Sequence, residues 1–147
     1  MIPSAGRTAS GANEAAIEVD ADRAESRLRT LLRCNALFST ATGVVALVWS
    51  ESIAELLGIE PVWAVRVLGG GLVAFAGLVV GVSVSQAALL RPASLIVSIG
   101  DLGWVVGTLG VVACGWLSSS GVAVMGATGL VVLGLAVAQI RARSGRA

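Results

Sequence analysis

The sequence predicts an all-α protein: a transmembrane antiparallel four-helix bundle preceded by an N-terminal amphipathic helix. No charged side chain occurs in the 39 residues from Leu102 to Ile140, or in the 24 residues from Val67 to Leu90. Apolar residues make up 56% of the 147-residue chain and charged residues only 13%, against roughly 45–50% and about 25% in soluble domains. Because about 20 apolar residues cross a bilayer as a helix, the runs indicate several membrane spans.

Charged residues and helix breakers divide the apolar part of the chain into four spans. The transmembrane domain is expected at residues 31–140, with spans at about 31–49, 62–84, 94–117 and 121–140. Between the first two spans, Glu51, Glu55 and Glu60 alternate with apolar residues before Pro61, which favours a short interfacial helical turn. The last connection is so short that the last two spans should form a tight antiparallel hairpin.

The first 30 residues differ in composition from the rest and are expected to form a cytoplasmic segment. Residues 1–13 are rich in Gly, Ala and Ser, which favours disorder. From Glu14 onward, apolar residues recur at helical spacing, with acids early and arginines late, as suits the helix dipole. Two interpretations stay open, an amphipathic helix on the membrane surface or a solvated charged tail. Residues 141–147 form a basic cytoplasmic tail.

The distribution of arginine predicts the orientation in the membrane. An even number of spans places both termini on one side, and cytoplasmic segments carry an excess of basic residues. The arginines expected on the side of the termini are Arg23, Arg27, Arg29, Arg33, Arg91, Arg141, Arg143 and Arg146. Trp49, Trp63 and Trp116 fall at the opposite boundary, where tryptophan is enriched in membrane proteins. Both termini are therefore expected to be cytoplasmic.

Two ionisable residues, Arg66 and Asp101, fall inside predicted spans. A charge near the centre of a span costs on the order of 2.5–3.5 kcal/mol on insertion scales, so each is a candidate functional residue. Their depths differ by roughly 14 Å in a hydrocarbon layer about 30 Å thick, too far for a direct pair. Arg66 could instead reach Glu51, Glu55 or Glu60, or extend into the headgroups.

Asp101 is expected at a depth where the other spans also bring polar side chains. The sequence predicts a buried polar cluster near the cytoplasmic face, with Asp101 as acceptor and Asn35 and Gln139 as donors. Further candidates at this depth are Arg33, Ser83 and Ser85. Two roles stay open: hydrogen bonding between helices, typically about 0.6–2 kcal/mol per contact, or a ligand or proton site.

Small residues recur every three or four positions on the second and third spans and are expected at packing interfaces. They are Gly70, Gly77 and Gly81 on the second span and Gly103 and Gly107 on the third. Such spacing lets helix backbones approach closely in a membrane. Trp104 lies with Asp101 on a different face of the third span and is also assigned to an interface.

Several chemistries are disfavoured by composition. The chain has no His and no Tyr, which removes the commonest metal ligand and the usual general base. Cys34 and Cys114 are expected near opposite membrane faces, whereas a disulfide needs Cα atoms within about 7 Å. A net charge of +1 gives no reason to expect nucleic acid as a partner. No metal, cofactor or enzymatic activity is therefore expected.

Five short segments carry a resemblance to known proteins. They are Arg33-Cys-Asn-Ala-Leu-Phe-Ser39, Leu57-Gly-Ile-Glu-Pro61, Arg66-x-x-Gly69-Gly-x-Leu72, Asp101-Leu-Gly-Trp-Val105 and Gln139 before basic residues. Together they resemble uncharacterised four-span integral membrane proteins of bacteria, close to the DoxX-like group, over about residues 28–143. The resemblance implies a four-helix bundle in the inner membrane and no established activity. The resemblance also implies that five positions define this type of protein: Asn35, Arg66, Asp101, Trp104 and Gln139.

Three functions follow as hypotheses. The first is a non-enzymatic accessory or scaffold subunit, with the lipid bilayer and a larger membrane complex or a second copy as partners. The second is a small proton-coupled transporter that uses Asp101. The third is a quinone- or lipid-handling membrane enzyme, which the absence of His, Tyr and paired Cys disfavours.

Overall fold

The chain folds into five α-helices. A computed structural model describes residues 5–144, so residues 1–4 and 145–147 lie outside the described range, and side chains are described from Glu14 onward except Ala15. The helices are α1 (Ala5–Val48), α2 (Ser50–Leu57), α3 (Val62–Ser83), α4 (Ala87–Ala113) and α5 (Ser119–Arg143). Four segments are long and apolar enough to cross a membrane: Ala16–Val48 of α1, α3, α4 and α5. The predicted all-α class with four membrane-spanning helices is confirmed.

The four long helices pack as a ring. α1 packs most extensively on α3, and α4 packs most extensively on α5. α1 also contacts α5 to close the ring, whereas α3 and α4 contact each other over few residues. The pairs α1–α4 and α3–α5 therefore lie on the diagonals. The short helix α2 covers one end of the ring, against α3 and α5.

A close crossing of two glycines joins α1 to α3. A Cβ added at Gly43 would lie 2.8 Å from the carbonyl oxygen of Gly69, and one added at Gly69 would lie 2.8 Å from the carbonyl oxygen of Gly43. Both positions are buried. Close approach of backbones supplies the van der Waals contact on which helix association depends in lipid. The crossing thus requires glycine on both helices.

The glycines assigned to packing interfaces from their spacing do not pack within this chain. A Cβ added at any of them would meet no atom within 4 Å; they are Gly70, Gly77, Gly81, Gly103 and Gly107. The predicted packing of these glycines within the chain is therefore wrong. A regular spacing identifies a helix face, but not which face meets a neighbour, and successive residues point about 100° apart.

The first helix begins much earlier than expected. α1 is one continuous helix from Ala5, so residues 5–13 are helical rather than disordered and no separate N-terminal helix precedes the first span; the expected disorder of residues 1–4 lies outside the described residues. The expected boundary near residue 30 rested on a change of composition. Such a change marks a change of environment along a helix, and a helix can continue through it.

The third span also differs, because α4 begins at Ala87 rather than near residue 94. Pro92 lies within α4, where it lacks the amide that would donate to the carbonyl of Ala88, so the helix continues past it with one hydrogen bond fewer. α4 ends at Ala113, before the expected residue 117, because Gly115 adopts a left-handed conformation with φ 69°. The amides of Gly115 and Trp116 then bond back to the last turn, which is a Schellman ending.

Hydrogen bonds between segments distant in sequence stabilise each end of the bundle. At the end where α2 lies, Ser118 donates its amide to the carbonyl of Leu57 at 2.8 Å and its hydroxyl to that of Leu56 at 2.6 Å. At the other end, the guanidinium of Arg29 donates to the carbonyls of Ser83 at 2.6 Å and Ser85 at 2.8 Å. These contacts satisfy carbonyls that the ends of α2 and α3 leave without helical partners.

We expect Gly69→Ala to lower the thermal stability of the protein in mild detergent, by about 1–3 kcal/mol in free energy of unfolding, because overpacking at a close contact forces the helices apart. The matched control is Gly70→Ala on the neighbouring position, where the new methyl group meets nothing within 4 Å. Circular dichroism melting curves measure both. Equal melting temperatures for the two variants would contradict the proposed role of the crossing.

Candidate functional site

The carboxylate of Asp101 lies at the meeting point of three helices. Its Oδ2 accepts a hydrogen bond from Asn35 Nδ2 of α1 at 2.7 Å and a longer one from Gln139 Nε2 of α5 at 3.4 Å. The exposed fractions of the three residues are 3% for Asp101, 0% for Asn35 and 1% for Gln139. The structure therefore brings together the acceptor and the two donors that the sequence assigned to one buried cluster.

Two serines extend this network on either side. Ser39, one turn after Asn35, lies with its hydroxyl 3.5 Å from Asn35 Oδ1. Ser98 donates to the carbonyl of Ser94 at 3.0 Å and lies 3.4 Å from Gln139 Oε1. The side-chain amide oxygens of Asn35 and Gln139 thus each have a serine hydroxyl nearby. This arrangement orients the two amide nitrogens towards Asp101. We use "the Asp101 cluster" for Asn35, Ser39, Ser98, Asp101 and Gln139.

Sequence reasoning did not assign Ser98 to the cluster. The available signal was its spacing, since Ser98 lies three residues before Asp101 and so on the same face of α4. Asp101 lies near the middle of α4, whereas Gln139 lies near the end of α5. The cluster therefore sits towards the end of the bundle where α5 ends.

Three other polar residues expected at this depth do not join the Asp101 cluster. Arg33 is exposed, and the hydroxyls of Ser83 and Ser85 donate to backbone carbonyls of α3. The ion pairs of the described residues do not include Asp101. Its carboxylate is therefore held by neutral amides, without a basic partner in the part of the chain that the structure describes.

Arg66 occupies a separate polar contact at the α2 end of the bundle. Its Nε donates to the hydroxyl of Ser50 at 2.9 Å, and a guanidinium nitrogen lies 3.6 Å from a carboxylate oxygen of Glu51. The side chains of Arg66 and Glu51 are 58% and 83% exposed, so the pair contributes little, about 0–1 kcal/mol. Glu51 is one of the three partners that the sequence offered, and Ser50 was not foreseen. Arg66 and Asp101 do not pair.

A large cavity lies inside the ring of helices, beside the Asp101 cluster. Its volume is about 760 Å³, and all four long helices line it, for example through Thr42, Phe75, Gly107 and Met125. Asp101 is the only charged residue among the described residues of its lining. The lining is otherwise mainly apolar. We call this space the central cavity.

Trp104 lines the central cavity one turn along α4 from Asp101. Its indole nitrogen is buried and has no hydrogen-bond partner, and it is the only such buried side-chain atom in the part of the chain that the structure describes. The sequence placed Trp104 at a helix interface. The structure places part of its side chain at the wall of the central cavity, while protein atoms cover the unpaired indole nitrogen.

The two cysteines and the acidic residues form neither a disulfide nor a metal-binding group among the side chains that the structure describes. Cys34 on α1 and Cys114 at the end of α4 are both free and exposed. No group of three or more acidic or cysteine side chains among the described residues could hold a metal ion.

Comparison of the chain with protein-family models, with curated proteins and with solved structures gives no match. The resemblance to DoxX-like proteins therefore stays a prediction from the sequence. The class of protein rests on the fold itself, which is a helical bundle with four segments able to span a membrane.

We expect Asp101→Leu to destabilise the bundle by about 1–3 kcal/mol, because it leaves the amides of Asn35 and Gln139 without their acceptor in a buried environment. Asp101→Asn keeps the shape and an acceptor oxygen and should cost less. The measurement is thermal unfolding in detergent of both variants, of Asn35→Leu and of the double variant Asn35→Leu/Asp101→Leu. If the effects of the two leucine substitutions simply add, the contact does not couple α1 to α4.

Proposed function

We propose that the protein is a non-enzymatic accessory or scaffold subunit of a membrane, in which the Asp101 cluster holds three spans together. The observation that supports this role is that amide donors from two other helices engage the carboxylate of Asp101, which is only 3% exposed. A group that serves mainly to tie helices together should be enclosed in this way. Hydrogen bonds of this kind contribute about 0.6–2 kcal/mol each in membrane proteins.

A scaffold acts through contacts with other proteins, so we further propose that the chain belongs to a larger membrane complex or associates with a second copy. Purification of the full chain in mild detergent, followed by light scattering and mass spectrometry of the intact particle, measures its composition. The proposal expects a stoichiometric membrane-protein partner or a homo-oligomer. A particle that contains a single copy of the chain at every concentration would contradict it.

For the location we propose the inner membrane of a bacterium, with both termini in the cytoplasm. Basic residues at the end of the bundle that holds the termini support this orientation, namely Arg23, Arg27 and Arg29 on α1 and Arg141 and Arg143 on α5, because basic residues are enriched on the cytoplasmic side. Trp49, Trp63 and Trp116 are each more than half exposed at the opposite end. Exposed tryptophans suit the headgroup region there.

A small proton-coupled transporter is the second candidate, and one observation favours it. Asp101 lines the central cavity as well as belonging to the Asp101 cluster. An acidic residue that faces both a cavity and a hydrogen-bond network could exchange a proton between them. The two candidates differ in whether Asp101 moves protons across the membrane.

On the scaffold proposal we expect no proton flux that depends on Asp101. Wild-type protein and Asp101→Asn, reconstituted in proteoliposomes that enclose a pH-sensitive dye, should dissipate an imposed pH gradient at the same slow rate as empty liposomes. Circular dichroism verifies that both reconstituted proteins are folded. A flux present in the wild type and lost in Asp101→Asn would favour the transporter.

For the orientation we expect Cys114 to react with a membrane-impermeant maleimide from outside the cell. The test uses Cys34→Ser, so that Cys114 is the only thiol. The matched variant is Cys34→Ser/Cys114→Ser/Ser144→Cys, which places the only thiol at the end of α5 and should be labelled only after lysis. Both thiol positions are exposed in the structure. Labelling of position 144 in intact cells would reverse the proposed orientation.

A further inference from the structure

We propose that a groove between α1 and α5, at the end of the bundle that holds the termini, binds an anionic phospholipid of the bilayer, with the lipid phosphate at Arg27 and Arg141. We call this space the basic groove. Its lining includes Arg27 and Leu31 of α1 and Gly134, Val137, Ala138 and Arg141 of α5. Neither the scaffold role nor the transporter alternative uses this groove, so the inference goes beyond both.

The charge of the basic groove favours an anion. Arg27 and Arg141 come from different helices and both line the groove, whereas its described lining contains no acidic residue. Both arginines are exposed, and the ion pairs of the described residues include neither of them. Arg29, by contrast, is paired with Glu25. Two guanidinium groups without a carboxylate partner can therefore bind one phosphate, whose oxygens accept bidentate hydrogen bonds from arginine.

The apolar part of the lining lies deeper in the bundle than the two arginines. On α1, Leu31 follows Arg27 by about one turn, towards the middle of the bundle. On α5, Gly134 precedes Arg141 and lies about 10 Å deeper, at 1.5 Å rise per residue. The groove thus changes from basic to apolar in the same direction in which a phospholipid changes from phosphate to acyl chain.

The size and position of the basic groove suit a lipid of the bilayer. The groove encloses about 620 Å³, within the roughly 300–1,000 Å³ of common ligand sites. Gly134 and Val137 are exposed, so the groove opens on a side of the bundle that contacts acyl chains when the four helices span a membrane. Basic pockets between membrane helices on the cytoplasmic side bind anionic headgroups.

The apolar depth of the groove favours a phospholipid over a free phosphate compound. A free phosphate would contact only the two arginines, and ion pairs between exposed groups contribute little because water and salt screen them. A phospholipid presents the same phosphate and also places an acyl chain against Leu31, Val137 and Ala138. Its headgroup is moreover held at the depth of the arginines by the bilayer itself.

Four arginines allow the charge of the groove to be tested against the total charge of the protein. Arg27→Gln/Arg141→Gln removes two positive charges from the lining. Arg33→Gln/Arg143→Gln removes two positive charges from the same two helices, at positions outside the described lining. The second double variant is therefore the matched control for the first.

Two glycines of α5 test the apolar part of the groove in the same way. A Cβ added at Gly134 or at Gly126 would meet no atom within 4 Å. Gly134 lines the basic groove, and Gly126 does not. Gly134→Leu should fill the apolar part of the groove, and Gly126→Leu is its matched control.

The test measures lipid binding to the full chain in mild detergent by native mass spectrometry. The probes are dioleoyl phosphatidylglycerol, which is anionic, and dioleoyl phosphatidylcholine, which has the same chains and no net charge. The wild type should bind the anionic lipid about five- to thirtyfold more tightly, because two arginines favour its net charge. Arg27→Gln/Arg141→Gln should remove this preference, and Arg33→Gln/Arg143→Gln should keep it.

Gly134→Leu should weaken binding of both lipids, whereas Gly126→Leu should bind both as the wild type does. Melting curves verify that each variant is folded, and the single variants Arg27→Gln and Arg141→Gln should each lose part of the preference. Equal affinity of the wild type for the two lipids would overturn the proposal. Equal loss of preference in the two double variants would show that total charge, and not the groove, attracts the lipid.

A competition experiment separates a lipid from a free phosphate compound. Glycerol phosphate, added at the same concentration as phosphatidylglycerol, carries the phosphate without acyl chains and should leave the amount of bound lipid unchanged. Displacement of the lipid by glycerol phosphate would overturn the choice of a phospholipid as the ligand.

Discussion

A carboxylate buried between membrane helices must find hydrogen-bond donors inside the protein, because lipid offers none. Asp101 meets this requirement with the amides of Asn35 on α1 and Gln139 on α5. The contacts of 2.7 Å between α1 and α4 and of 3.4 Å between α5 and α4 limit how far these helices can slide along one another. The Asp101 cluster thus links the register of α1, α4 and α5.

A second contact holds α3 independently of α4. The crossing at Gly43 and Gly69 brings the backbones of α1 and α3 together, and Arg29 of α1 binds the carbonyls that end α3. α1 is therefore tied to α3 along one face and to α4 and α5 along another. Because α3 and α4 are each positioned mainly by other helices, they need not pack closely on each other. The central cavity lies where α3 and α4 contact each other least.

The Asp101 cluster and the central cavity share a residue, so the sequence alone does not separate a structural role of that residue from a ligand-binding role. Asp101 belongs to both, so substitutions there disturb helix packing and the cavity wall together. Trp104 is a more selective position, since it lines the cavity and its indole nitrogen holds no other part of the described protein. A substitution at Trp104 changes the cavity wall and leaves the hydrogen bonds between helices intact.

The sequence by itself determined the class of fold and the three central residues of the polar cluster, whereas the structure added Ser39 and Ser98. Long uncharged runs can only be accommodated as spans, and a small set of polar residues at one depth, Asn35, Asp101 and Gln139, has few partners other than each other. The tertiary structure decided which helix faces meet. Gly69 packs and Gly70 does not, although the two are adjacent, and part of Trp104 lines a cavity. Helical spacing describes faces of single helices, whereas packing depends on the rotation of each helix about its axis, which contacts distant in sequence determine.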